Sequence, residues 1–135
     1  MNDELLDKML ERAEELDWNC RKEEQASPFG NGQIDYYIDF ERYTPAGEDF
    51  LFTVFYKKPE YLPREIMSYA DDFDLNDHVL RWLEAKRNGD SSVPNVVELV
   101  DDGRWIQNEL KILSEELNRE MIRLKEMERT GGFNA

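Results

Sequence analysis

Residues 33–57 carry the pattern that most restricts what this chain can become. Ile34, Tyr36, Ile38 and Phe40 alternate with Asp35, Tyr37, Asp39 and Glu41. A two-residue period places the first set on one face of a strand and the second on the other. Thr44-Pro45-Ala46-Gly47-Glu48-Asp49 is a loop of turn-forming residues, and residues 50–57 return as a second strand. There Phe50, Phe52, Val54 and Tyr56 share one face and Leu51 and Phe55 the other, so that second face is expected to be partly covered. Trp18, Cys20 and Lys22 alternate with Asn19, Arg21 and Glu23, which makes Trp18–Ala26 an edge strand. Ser27-Pro28-Phe29-Gly30-Asn31-Gly32 is the turn that joins it to the hairpin.

An isolated hairpin is marginal in water, so the apolar face needs helices. Leu5, Leu6, Met9, Leu10, Ala13 and Leu16 fall on one side of a helix over residues 3–17, which Asn2 or Asp3 can cap. Ile66, Met67, Ala70 and Phe73 mark a short helix beginning near Pro63. Asp74 or Asn76 can cap the next, in which Val79, Trp82 and Leu83 face inward, and Asn88-Gly89-Asp90-Ser91-Ser92 ends it. Pro94 lies in the first turn of the last helix. Its apolar series runs through Ile106, Leu110, Leu113, Leu117, Met121 or Glu120, Leu124 and Met127. That span is short for a coiled coil and reads as a helix seated in its own domain. Gly103 within it costs about 1 kcal/mol relative to alanine, which predicts a kink or a close backbone contact. The fold class is α+β: an N-terminal helix, a three-stranded antiparallel meander, then two or three helices ending in a long helix. A single acidic domain spans residues 1–129, with a flexible tail over 130–135.

Charge bounds the function. Lys and Arg total 17 against 31 Asp and Glu, a net charge of −14 on 135 residues. Such self-repulsion strains a compact state and repels nucleic acid and anionic membranes, but suits a basic surface. The 40% hydrophobic and 12% aromatic content argues for a folded chain despite that charge. No run is long enough to span a membrane, and the acidic N-terminus, with Asp3, Glu4 and Asp7, does not look like a secretory signal. One cysteine, Cys20, excludes an internal disulfide and fits a reducing cytoplasm.

The residues do not assemble into a recognisable catalytic set. Asp71-Asp72-Phe73-Asp74-Leu75-Asn76-Asp77-His78 offers cation ligands, but lacks the glycine and the bidentate glutamate of a calcium loop. His78, the single histidine, has no nucleophile near it in sequence and reads as a surface or helix-cap residue. Cys20 reads as a small packed hydrophobe without a partner base. One Cys and one His exclude a zinc site, and Gly30-Asn31-Gly32 precedes a strand, whereas a phosphate loop needs a helix. The expectation is therefore a protein without catalytic residues, metal or cofactor. Asp71 and Asp72 are left unexplained, because carboxylates near a helix C-terminus oppose its dipole. Asp101 and Asp102, beyond the first turn of the last helix, gain less from that dipole than Glu98.

Three segments carry a resemblance. Tyr43-Thr44-Pro45-Ala46-Gly47-Glu48-Asp49, then Tyr69-Ala70-Asp71-Asp72-Phe73-Asp74 with His78, Val79 and Trp82, then Val93-Pro94 with Glu98-Leu99-Val100-Asp101-Asp102, resemble a family of small acidic proteins of bacterial phages and mobile elements. The resemblance spans residues 33–117 and implies a mobile-element accessory protein. In charge and size the chain is similar to anti-CRISPR and antirestriction inhibitors that mimic DNA. It implies a non-catalytic inhibitor that occupies the basic surface of a host defence nuclease, with no direct nucleic-acid binding. The carboxylates assigned to that contact are Asp71, Asp72, Asp74, Asp77, Asp101 and Asp102, with Glu48 and Asp49 on the hairpin tip. The alternative is an adaptor that forms homodimers through Leu113, Leu117 and Leu124 of the last helix.

Overall fold

Among the residues that the computed structural model describes (3–27, 29, 30, 32, 34–87 and 95–129), three strands and four α-helices are laid out in the expected order. They are α1 (Asp3–Glu15), β1 (Asn19–Ala26), β2 (Ile34–Tyr43), β3 (Asp49–Tyr56), a 3-10 turn at Pro59–Tyr61, α2 (Leu62–Asp71), α3 (Leu75–Arg87) and α4 (Val96–Arg129). The sheet order is β1-β2-β3, antiparallel throughout. In its register Phe40 lies between Cys20 and Phe52, and Ile38 between Lys22 and Val54. The expected capping role of Asn2, the break at 88–92, Pro94, the tail beyond 129 and the side chain of Trp82 lie outside the described residues.

The stop of α1 determines how helix and sheet meet. Asp17 adopts φ +74°, a left-handed conformation uncommon outside glycine. Around it the Trp18 amide donates to the Ala13 carbonyl at 3.1 Å and the Asp17 amide to Glu14 at 3.0 Å. This double closure ends the helix at Glu15, two residues short of the expected 17. It also turns Trp18 into the core, edge-on to Phe40, Phe50 and Phe52 at centroid distances of 6.4, 6.4 and 5.6 Å.

One apolar cluster joins α1 (Leu6, Met9, Leu10, Ala13), the inner sheet face, α2 (Leu62, Ile66, Ala70) and α4 (Ile106, Leu110, Leu113, Leu117). Polar contacts fix α4 against α2: Ser114 Oγ donates to the Pro63 carbonyl at 2.6 Å, and Gln107 Nε2 to that of Ala70 at 3.0 Å. The Ala70 carbonyl lies in the last turn of α2 and also accepts from the Phe73 amide at 3.3 Å. Arg42 reaches across the sheet to pair with Glu109 at 2.5 Å, its guanidinium over the rings of Trp18 and Trp105.

Two expectations change. Leu113, Leu117 and Leu124 are buried inside the chain's own fold, so the dimer interface proposed for them cannot form without opening the core. The outer sheet face is open rather than covered: Leu51 is 51% and Phe55 40% exposed, and α1, α2 and α4 all contribute to the cluster on the inner face.

Candidate functional site

The hairpin loop, α3 and α4 are joined by four side chains: Glu48 from the loop, His78 and Arg81 from α3, and Asp102 from α4. Asp102, only 2% exposed, accepts a hydrogen bond from the Ala46 amide at 2.8 Å, and its second oxygen lies 3.2 Å from His78 Nε2. Arg81 donates to His78 Nδ1 at 3.3 Å. Arginine can only donate, so Nδ1 accepts and the ring proton sits on Nε2, where it is donated to Asp102. Glu48 comes from the loop: Oε2 lies 3.4 Å from Arg81 and Oε1 3.6 Å from His78 Nδ1. The loop itself is closed by the Glu48 amide donating to Thr44 Oγ1 at 3.0 Å.

Gly103 explains how the imidazole fits. A Cβ there would stand 2.3 Å from Leu75 Cδ1 and 3.1 Å from His78 Cδ2. The glycine that weakens the helix therefore lets α3 approach the backbone of α4, which is the close contact its sequence position predicts. His78 is a correction: its side chain is fully buried, neither at the surface nor capping a helix. Asp74 caps α3, its Oδ1 accepting from the Asp77 amide at 3.0 Å, while Asn76 lies within the helix.

Glu48, His78 and Asp102 have donor atoms within 4.8 Å of one another, close enough to suggest a cation site. The geometry argues against a shared ion. The Arg81 guanidinium already stands at His78 Nδ1 (3.3 Å) and Glu48 Oε2 (3.4 Å), and Asp102 is engaged by the Ala46 amide and Nε2, so the cluster is filled by the protein's own cation and donors. Nor does the cluster present an aspartate–histidine pair to a substrate, because the ring has no exposed edge. What the arrangement does is clamp the loop, α3 and α4 together.

The eight carboxylates assigned to a partner separate into four locations. Asp102 is a correction, because it is buried and both its oxygens are engaged. Glu48 is likewise turned inward, its side chain 17% exposed. Asp72, Asp74 and Asp77 line a groove of about 550 Å³ between β3, α2 and the start of α3, and Asp71 is exposed at the end of α2. Glu65, Ser68, Tyr69 and Phe55 line the same groove, and sequence reasoning missed all four in this role. Asp101 opens onto a separate recess of about 330 Å³ with Pro45, Ala46, Glu98 and Trp105. Asp49 is exposed at the start of β3, where its hydrogen bond and charge push the Glu41 carboxyl above its usual range.

Burial, with a smaller contribution from Glu14, pushes the Cys20 thiol up to about 12. Each unit of that rise lowers the thiolate fraction tenfold at neutral pH. Cys20 in the folded protein is therefore expected to react with a disulfide reagent at pH 8 on the order of 100-fold or more slowly than in urea. Stopped-flow absorbance in the two conditions checks this.

Among the described residues no helix is long and apolar enough to cross a membrane. Comparison of the chain with protein-family models, curated proteins and solved structures finds no match.

Proposed function

We propose that this chain is a non-catalytic acidic binding protein that occupies a basic, nucleic-acid-binding surface of another protein. In the mobile-element setting that its motifs resemble, that protein is a defence nuclease of the bacterial host, RNA-guided in the anti-CRISPR case, met in the cytoplasm. The observation that carries the reading is the corner between α2 and α3. There Glu65, Asp71, Asp72 and Asp74 have no cationic partner among the described residues, and Asp77 shares Arg81 with Glu48. Along α4, by contrast, several carboxylates are neutralised locally: Glu116 by Arg12 and Arg119, Glu120 by Arg123, Glu126 by Arg129. The unpaired negative charge at the corner attracts a cationic surface and accelerates encounter with it.

The test is a cleavage assay with the host's RNA-guided nuclease, titrated with the wild type and with a variant carrying Asp49→Lys, Asp71→Lys, Asp72→Lys and Asp101→Lys. All four side chains are exposed, so the fold is expected to survive. At about 1 kcal/mol or less per exposed charge, inhibition is expected to weaken on the order of 100-fold at low salt. Equal inhibition by both proteins at low and high salt overturns the reading.

A further inference from the structure

The groove beside β3 has features that general electronegativity does not require. β3 is the last strand of the sheet, and among the described residues no backbone hydrogen bond joins residues 50–55 to any segment other than β2. Its free edge therefore presents alternate amides and carbonyls to the groove. The lining combines Phe50, Phe55, Tyr69 and Phe73 with the carboxylates of Glu65, Asp72, Asp74 and Asp77. Arg81, the only cation in that lining, is already held by Glu48 and Asp77.

We propose that this groove receives an extended lysine- or arginine-bearing segment of the partner polypeptide, added to the sheet as a fourth strand beside β3. The inference rests on the acidic-binder reading above and names how the partner is held. Backbone pairing with β3 supplies register, because alternate residues of an added strand turn their amides toward the sheet. The four carboxylates select a cationic segment by complementarity. The exposed faces of Tyr69 and Phe55 accept the alkyl stems and charges of its basic side chains. An acidic or neutral segment would meet like charge or gain nothing from the walls.

A blocked octapeptide of alternating lysine and valine serves as the probe, with calorimetry on the full chain. Two further peptides keep its charge but carry N-methyl groups, one on every lysine amide and one on every valine amide. Strand addition predicts that one methylated peptide loses at least tenfold in affinity and the other does not, because only one alternate set faces β3. Ser68→Trp, which fills the groove from an exposed position without changing charge, is expected to weaken the parent peptide at least tenfold. Equal affinity for all three peptides, or an unaffected Ser68→Trp protein, overturns the inference. Nuclease inhibition that depends on Asp71 and Asp101 but ignores Ser68→Trp would remove the groove while leaving the acidic-binder reading in place. Peptide binding without any nuclease inhibition would do the reverse.

Discussion

Replacing Asp102 with alanine is expected to destabilise the protein by about 2–5 kcal/mol, from two hydrogen-bond donors that lose a charged acceptor. The substitution leaves the buried His78 Nε2 proton and the partly buried Ala46 amide without their acceptor. Each orphaned donor costs about 1–3 kcal/mol. The alanine's better helix propensity returns under 1 kcal/mol, too little to compensate. Urea unfolding measures the loss, with an unchanged slope showing that the denatured state is the same. In a double-mutant cycle with His78→Ala, the paired loss is expected to fall below the sum of the single losses, since both remove the same bond. A loss under 1 kcal/mol for Asp102→Ala would mean that the clamp does not hold the loop to the helices.

Trp18→Ala is expected to be comparably severe, at about 3–5 kcal/mol, the range for emptying an aromatic core site. Trp18 is 2% exposed and wedged among Phe40, Phe50, Phe52 and the Arg42 guanidinium. These rings come from both strands of the β2–β3 hairpin, so the surroundings cannot collapse into the vacancy without moving it. For a chain of this size the melting temperature is expected to fall by roughly 10–20 °C, read by calorimetry. A smaller fall of a few degrees would indicate that the hairpin closes over the gap.

The meander was legible because its information is local. Alternation from Ile34 to Phe40 decides which face is buried, and a slip by one residue would exchange Ile38 for Asp39 in the core. The helices followed from their three-and-four spacing, and Gly103 announced a close approach through its unfavourable propensity. The exact stop of α1 was less visible, because aspartate rather than glycine takes the left-handed position at residue 17. Leu51 and Phe55 misled in the other direction, since period-two patterning describes faces and not what lies over them. The pairing of His78 with Asp102 was out of reach. It joins residues on different helices, and its one trace in sequence is an aspartate placed where the helix dipole has little use for it. The candidate groove was half visible: its acidic rim could be read from residues 71–77, but Glu65, in the first turn of α2, sits where a carboxylate calls for no functional explanation, and the open edge of β3 depends on strand order.

The two outer strands of the sheet also differ in their exposure to self-association. β1 is Asn-Cys-Arg-Lys-Glu-Glu-Gln-Ala, a run whose charged side chains discourage another copy from pairing with it. β3 is Asp-Phe-Leu-Phe-Thr-Val-Phe-Tyr, seven residues after the aspartate that combine high strand propensity with no charge and no proline. Such a stretch is a nucleus for fibrillar stacking once concentrated or partly unfolded. The surplus of carboxylates along the molecule then acts as a colloidal safeguard, keeping copies apart. Acidification that titrates those groups would lift the safeguard, and solubility would fail first at this strand.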